Sequence, residues 1–249
     1  MISLKSKREI QIMQRSADIL KQIFKEVEAA VKPGVTTDDL DKIAEKIINA
    51  SEGDPAFKGY RGFPKTACIS VNEEVVHGIP GSRKLKEGDL VSFDIGVKVE
   101  GYYADAARTW SVGKVAEDKL KLLRTAKDSM EAGLAAYKPG CRIGDLSDSI
   151  QKLIESRGFG VVREYVGHGI GRNLHEEPQV PNYGKPGHGS RIEPGLVLAI
   201  EPMVTEGHHG VETLEDGWTV VTKDRKWASH YEDTIAFTEN GFINLTGGN

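Results

Sequence analysis

The sequence predicts an α+β fold in which a curved, mainly antiparallel sheet carries helices on its outer face. Two observations indicate this fold. A plan of two helices followed by strands is written twice within the 249 residues. In addition, acidic and imidazole side chains lie in or beside apolar strand-like runs, which places them together on the concave face. We expect a single domain over residues 1–249, formed by two related halves that meet at roughly residues 112 and 113.

Two amphipathic helices are predicted to open the first half. Apolar residues recur at steps of three and four over residues 10–31, until Lys32-Pro33-Gly34 ends the pattern. The predicted inner face consists of Ile10, Met13, Ala17, Leu20, Phe24, Val27 and Val31. A second helix follows Thr36-Thr37, and its inner face consists of Leu40, Ile43, Ile47 and Ile48.

The same plan returns over residues 116–154. The third helix is predicted to bury Leu120, Leu123, Met130 and Leu134. Lys32-Pro33-Gly34 returns as Lys138-Pro139-Gly140, and the match continues through the following helix into the strands. This repetition makes Asp94 and Glu201 predicted pseudo-symmetry mates. It also predicts that Glu232 takes the place in the second half that Asp105 has in the first.

The clearest strands form a hairpin over residues 90–97 and 102–110. A loop of four residues, 98–101, sets Asp94 opposite Asp105, whereas a two-residue Glu100-Gly101 loop makes them diagonal neighbours. Both registers put the two carboxylates on one face. Because like charges at that separation repel, either one carboxylate holds a proton or a cation lies between them. A solvated acidic face is the alternative interpretation.

Four carboxylates and one imidazole form the candidate metal site: Asp94, Asp105, His168, Glu201 and Glu232. This oxygen-rich set suits two divalent ions about 3.5 Å apart, with Mn²⁺, Fe²⁺ or Co²⁺ favoured and Zn²⁺ accommodated. A calcium site would favour carboxylates clustered in a loop instead.

The seven histidines divide into three groups. His168 lies in a glycine-rich segment where the backbone can approach a ligand closely. His77 and His175 are further candidates, although His175-Glu176 does not form a zinc-protease motif because residue 179 is Gln and Pro178 would break the helix. The remaining four are interpreted as surface or structural residues: His188, His208, His209 and His230.

Charge and cysteine content exclude several classes of protein. The net charge is −4 and lysine and arginine do not cluster, so no nucleic-acid or anionic membrane partner is expected. Cys68 and Cys141 lack the spacing of a zinc or redox motif, which favours reduced thiols in a cytoplasmic protein. Neither a signal peptide nor a membrane span is predicted.

These residues, in this order, resemble the type I, bacterial kind of methionine aminopeptidase, a member of the pita-bread metallopeptidases. The matching segments are residues 71–80, 93–96, 103–106, 165–171, 175–178, 200–203 and 230–232. The resemblance covers essentially the whole chain. It implies the pita-bread fold and a hydrolase that removes the N-terminal methionine from nascent proteins with a small second residue. The implied nucleophile is a water or hydroxide that bridges two metal ions.

The resemblance also implies a role for each candidate ligand. Asp94 would hold one ion, and His168 and Glu201 would hold the other. Asp105 and Glu232 would bridge both. Glu201 would in addition accept the proton of the nucleophilic water.

Substrate contacts follow from the same resemblance. His175 would donate a hydrogen bond to the scissile carbonyl as charge develops, and His77 would contact the amide that follows the methionine. The slot for the methionine side chain would consist of Tyr60, Phe63, Cys68, Leu174 and Trp218. The chain departs from the family pattern at three positions: Leu174 replaces an aromatic residue, Phe57 a smaller residue and His230 a glutamine.

Two rival functions share this fold. A prolidase or aminopeptidase P would use the same five ligands, but those proteins usually carry a large N-terminal domain that this sequence lacks. A non-catalytic binding module would be expected to lose ligands, whereas all five are present. The expected partners of the favoured function are N-termini of nascent polypeptides, met at the ribosome, and the expected oligomeric state is a monomer.

Overall fold

The computed structural model describes residues 2–247. The helices are α1 (Lys7–Ala30), α2 (Thr37–Asn49), α3 (Glu117–Ala135) and α4 (Ile143–Ser156), with a short 3₁₀ turn at Tyr60–Gly62. The strands of the first half are β1 (Asp54–Pro55), β2 (Cys68–Val71), β3 (Glu74–Val76), β4 (Leu90–Val99) and β5 (Tyr102–Ser111). Those of the second half are β6 (Gly160–Val161), β7 (Gly167–Gly169), β8 (Glu176–Val180), β9 (Val197–Ile200), β10 (Met203–Thr205), β11 (Val211–Thr213), β12 (Val220–Thr222), β13 (Ala228–His230), β14 (Asp233–Thr238) and β15 (Gly241–Asn244).

Each pairing between these strands is antiparallel. The hydrogen bonds divide the strands into four sheets, with the orders β1-β4-β2, β13-β10-β6, β11-β12-β3 and β15-β14-β9-β7-β8, and β5 runs along β4. A bridge between Ala107 and Glu232 joins the two halves. The predicted α+β class is therefore confirmed, although the single curved sheet of the prediction is divided in its hydrogen bonding.

The helix starts follow from local sequence. Ser6 and Glu9 form a capping box at α1, and Thr36 and Asp39 form one at α2, so two orphan backbone donors are satisfied at each start. On α1 the predicted inner face is buried from Met13 to Val27, while its two end residues are only half-buried.

The residues predicted to face the core at the start of α3 were wrong. Leu122 is fully buried, whereas Leu120 and Leu123 are only partly buried. The inward face continues from Leu122 through Ala126 to Met130 at steps of four. Three closely spaced leucines fit more than one helical phase, and the small Ala126 contributes little to an apolar count.

Each half has its own hydrophobic core. In the first, α1 and α2 pack over β2, β4 and β5, and Phe24 meets Phe93 edge-on with ring centroids 6.3 Å apart. In the second, α3 and α4 pack over β9 and β14, where Leu146 and Phe237 are fully buried. Over residues 2–247, no helix combines the length and apolarity needed to cross a membrane.

The hairpin of β4 and β5 uses the two-residue loop. Asp94 pairs with Ala107 and Asp105 pairs with Gly96, so the two carboxylates are diagonal neighbours. Glu100 and Gly101 have φ values of 47° and 81°, which is the conformation of the tight turn that matches strand twist. The four-residue alternative is excluded.

A pseudo-twofold axis passes near the Ala107–Glu232 bridge, and it changes one predicted correspondence. The backbone of His230 exchanges two hydrogen bonds with the hydroxyl of Thr109, at 2.7 and 3.1 Å. The backbone of Asp105 exchanges the same two bonds with the hydroxyl of Thr234, at 2.7 and 2.9 Å. These reciprocal pairs make His230 the mate of Asp105. Glu232 is the mate of Ala107, so the prediction that it replaces Asp105 was wrong.

Candidate metal centre and substrate cavity

A cavity of about 150 Å³ lies between the two halves. All five predicted metal ligands line it: Asp94, Asp105, His168, Glu201 and Glu232. The two further histidines and the five predicted slot residues line the same cavity: His77, His175, Tyr60, Phe63, Cys68, Leu174 and Trp218. The structure thus brings together every residue that the sequence nominated for the site.

Strand pairing places the ligands. Asp94 and Asp105 share one face of the β4–β5 hairpin. His168 on β7 pairs with Ala199 on β9, and Glu201 directly follows β9. Glu232 is placed by its bridge to β5. Residues distant in sequence therefore meet because their strands are hydrogen-bonded neighbours.

Glycines on either side of His168 are required by close backbone contacts. A Cβ at Gly167 would lie 2.4 Å from the carbonyl oxygen of Ala199, and one at Gly169 would lie 2.3 Å from that of Glu177. Only glycine allows such an approach without displacing the neighbouring strands. The glycine-rich segment, a weak signal in the sequence, is explained by the packing that presents the imidazole to the cavity.

The surroundings of the site carboxylates disfavour their ionised form. Burial raises the pKa of Asp94, Glu201 and Glu232 well above the usual range, and the nearby carboxylates raise each of them further. Burial also raises the pKa of Asp105 to about 7. Side chains in such surroundings either keep a proton or bind cations.

The donor set fits divalent metal ions. Over residues 2–247, neither Asp94 Oδ1 nor Asp105 Oδ1 has a hydrogen-bond partner. His168 Nδ1 bonds the carbonyl oxygen of Gly169 at 2.9 Å, and burial lowers the pKa of this imidazole to about 3. A neutral imidazole oriented through Nδ1 leaves Nε2 available to a metal.

Ligand atoms of these residues approach one another in two groups. Asp105, His168 and Glu232 offer atoms that all lie within 4.8 Å of one another. Glu201, His230 and Glu232 form a second such group. Asp94 belongs to neither group, although its pKa responds to Asp105 and Glu201. The arrangement can hold more than one ion, with Glu232 common to both groups.

His230 is the residue of this centre that the sequence interpretation missed. Its side chain is 1% exposed, and its Nε2 lies 3.7 Å from Glu201 Oε2 and 3.9 Å from Glu232 Oε2. The signal was present in the sequence, because residues two apart on an extended segment face the same side. His230 stands two positions before Glu232 and was interpreted alone.

The apolar part of the cavity is built mainly from rings. Phe63 and Trp218 meet edge-on with centroids 5.1 Å apart. Phe57 and Leu174 are buried beside them. Cys68 is buried close to Asp94, and burial first and this carboxylate second raise the pKa of its thiol, so it remains a neutral wall of the slot.

His175 lies at the mouth of the cavity and is oriented by Tyr60. The Tyr60 hydroxyl is 3.0 Å from His175 Nδ1, and the two rings stack. If the hydroxyl donates to Nδ1, the proton of the imidazole resides on Nε2. Arg61 also lines the cavity; nothing in the sequence pattern marked it. Burial and, next, Arg61 lower the pKa of His175.

His77 also lines the cavity and packs against the edges of two aromatic rings. Its ring meets Tyr165 at 5.4 Å and Trp218 at 6.5 Å between centroids. The residue adopts a positive φ of 61°, a conformation that non-glycine residues seldom take. Burial lowers the pKa of His77 to about 4, so the imidazole is neutral at pH 7 and can both donate and accept a hydrogen bond.

A buried ion pair supports the segment that carries His175. Lys5 Nζ lies 2.5 Å from Glu176 Oε2, and both side chains are almost excluded from solvent. The amide of Lys5 also donates to the carbonyl oxygen of Gly195 at 2.6 Å. Residues ahead of α1 are thereby fixed to the rim of the cavity.

The fold and this centre define a metallopeptidase. Residues 11–239 match the model of metallopeptidase family M24, and the chain belongs to that family. Within it, the similarity is to methionine aminopeptidases. Methionine aminopeptidase 1 of Bacillus subtilis is 51% identical over 246 residues, covering 99% of each chain, and methionine aminopeptidase of Clostridium perfringens is 49% identical over 97% of each.

Solved structures agree with this assignment. The methionine aminopeptidase of Thermotoga maritima superposes with a TM-score of 0.97 at 46% identity, covering 100% of both chains. Prolidase from Pyrococcus furiosus gives a TM-score of 0.79 at 22% identity, over 99% of this chain and 66% of the prolidase, and shows a shared fold only. The predicted resemblance to methionine aminopeptidases with the pita-bread fold is confirmed.

Proposed function

We propose that this protein removes the N-terminal methionine from peptides and nascent polypeptides whose second residue is small. The observation that carries the proposal is one cavity that joins a buried carboxylate and imidazole centre to a slot lined largely by apolar side chains. The 51% identity to the Bacillus subtilis methionine aminopeptidase supports the choice of substrate. The slot offers space and apolar walls for an unbranched thioether side chain.

We further propose that two divalent ions, Mn²⁺, Fe²⁺ or Co²⁺ with Zn²⁺ also accepted, are held by Asp94, Asp105, His168, Glu201 and Glu232. Their four carboxylates carry eight oxygens, more than the six ligand atoms that one octahedral ion takes, and the ligand atoms approach one another in two groups. When bound, such ions supply a water of lowered pKa and polarise the scissile carbonyl.

The side chains around the centre would carry the remaining chemistry. Glu201 would accept a proton from the attacking water and return it to the leaving amine. His175, with its proton on Nε2 when Tyr60 donates to Nδ1, donates to the carbonyl oxygen as it gains charge. His77 contacts the amide after the methionine, so these two histidines flank the scissile bond.

The first prediction concerns the second residue of the substrate. We expect kcat/KM for Met-Ala-Ser to exceed that for Met-Leu-Ser by at least about 10²-fold, because a cavity of about 150 Å³ that accepts methionine leaves little room for a second large side chain. Release of free methionine from both peptides, quantified by chromatography, measures this ratio. Equal rates would contradict the proposed preference, and cleavage restricted to an X-Pro dipeptide would indicate a prolidase-like enzyme instead.

The second prediction concerns His77. We expect His77→Ala to lower kcat/KM for Met-Ala-Ser by about tenfold or more, because a hydrogen bond to the substrate amide is lost. Steady-state kinetics measure the effect, and metal content should not change. His188→Ala is the matched control, since His188 is exposed and lies outside the cavity. Near-normal kcat/KM in His77→Ala would remove this residue from the substrate site.

The cellular setting is part of the same proposal. N-termini that emerge from the ribosome would be the natural substrates, and the protein would act in the cytoplasm as a monomer. Cys68 and Cys141 are both buried free thiols, which suits a reducing compartment. Size-exclusion chromatography with light scattering tests the oligomeric state directly.

A further inference from the structure

We propose that His230 is a sixth protein ligand of the metal centre, donating Nε2 to the ion shared by Glu201 and Glu232. The inference rests on the proposed metal-dependent function and extends its ligand set. Its starting point is the pseudo-twofold axis, which gives His230 the position that Asp105 has in the other half. Asp105 contributes an oxygen to the centre, and the equivalent position contributes a nitrogen.

The distances around Nε2 support coordination more than direct hydrogen bonding. Nε2 lies 3.7 Å from Glu201 Oε2 and 3.9 Å from Glu232 Oε2, and both exceed a hydrogen bond to a carboxylate. Two ligand atoms bound to one ion, each at about 2.1 Å, lie at most about 4.2 Å apart. Both distances fall below this limit, so His230 Nε2 is spaced from each carboxylate as a ligand that shares an ion with it.

The surroundings of His230 give the second reason. Its side chain is 1% exposed, and neither ring nitrogen has a hydrogen-bond partner among residues 2–247. A buried imidazole with two unpaired nitrogens is costly, and a metal bond to Nε2 offsets part of that cost. His168 differs, because its Nδ1 is held by the Gly169 carbonyl oxygen, so His168 should be the more firmly oriented of the two ligands.

A second imidazole changes which metal the centre prefers. The four carboxylates of the centre offer only oxygen, whereas His168 and His230 would bring two nitrogens to it, one in each group of ligand atoms. Nitrogen ligands favour Zn²⁺, Co²⁺ and Fe²⁺ over Mn²⁺. The chain carries histidine where the family pattern has glutamine, so its preference should be shifted toward the nitrogen-favouring ions relative to a glutamine-bearing protein.

The test compares wild type, His230→Gln and His188→Gln, with the last removing one exposed imidazole outside the cavity. Each purified protein is stripped, loaded with two equivalents of Zn²⁺ and examined by X-ray absorption, in which coordinated imidazoles are counted from their multiple scattering. We expect two imidazoles per protein in wild type and His188→Gln and one in His230→Gln. Calorimetry should show at least about tenfold weaker Zn²⁺ binding at one site of His230→Gln and a smaller loss for Mn²⁺.

Each result decides a separate question. Wild type that binds no divalent ion would overturn the proposed metal-dependent function itself. Wild type that binds two ions with one imidazole, unchanged by His230→Gln, would overturn the role of His230 alone. The melting temperatures of the stripped proteins show whether His230→Gln is folded, and the increase in melting temperature on adding Zn²⁺ should be smaller in this variant than in His188→Gln. An equal increase in both would also contradict the inference.

Discussion

Exhaustive removal of divalent metal is expected to abolish cleavage of Met-Ala-Ser. Burial raises the pKa values of the carboxylates Asp94, Asp105, Glu201 and Glu232, and neighbouring carboxylates raise those of Asp94, Glu201 and Glu232 further. Without ions they neither activate a water nor polarise a carbonyl. Dialysis against a chelator, followed by elemental analysis and a peptide cleavage assay, measures the loss. We expect activity to fall to background and to return when Mn²⁺ or Co²⁺ is added.

Two controls make this result interpretable. Stripped protein should keep its far-ultraviolet circular dichroism spectrum, since the hydrophobic clusters that hold the helices and sheets together do not include the site carboxylates. Its melting temperature should rise when metal is restored, because ions that bind only the folded protein stabilise it. Undiminished cleavage by protein shown to contain no metal would refute the proposed mechanism.

Glu201→Gln is expected to lower kcat by at least about 10³-fold, an effect within the range of lost general base catalysis. The amide retains a ligand oxygen but cannot accept the proton of the attacking water. Single-turnover cleavage of Met-Ala-Ser at saturating metal measures the chemical step, with metal content determined on the same sample. Glu193→Gln removes an exposed carboxylate elsewhere and should leave kcat unchanged.

The same substitution should stabilise the stripped protein. In the folded chain the pKa of Glu201 is raised above its unfolded value by burial and by Asp105. Stability linked to such a group is present at low pH and is lost as the pH rises through the folded pKa. This loss grows as the pH rises above the unfolded pKa, and a neutral glutamine avoids it. Scanning calorimetry above neutral pH, in chelator, should give a higher melting temperature for Glu201→Gln than for wild type, and full activity in this variant would exclude Glu201 as the base.

The repeated plan made most of this architecture predictable. Asp94, Glu201 and Glu232 could be predicted as metal ligands because a carboxylate beside an apolar strand is costly to bury unless a cation neutralises it. The register of the β4–β5 hairpin could not be predicted, because the sequence is compatible with a loop of two residues and with one of four. The positive φ values at Glu100 and Gly101 in the structure identify the two-residue loop.

Other features depend on tertiary contacts that a linear pattern does not contain. The correspondence of His230 with Asp105 is visible only through their reciprocal hydrogen bonds with Thr109 and Thr234. Sequence spacing misassigned it, because the second half carries extra residues between its strands. The orientation of His175 by Tyr60 likewise joins residues far apart in the chain. Individual site residues were therefore easier to predict than the contacts that position them.

The ion pair of Lys5 with Glu176 has a practical consequence for handling the protein. A purification tag or a shortened start that displaces Lys5 leaves a carboxylate without its counter-ion directly beside His175. Such a recombinant version could fold normally and still present a misaligned histidine, so a tag should be attached to the opposite end of the chain.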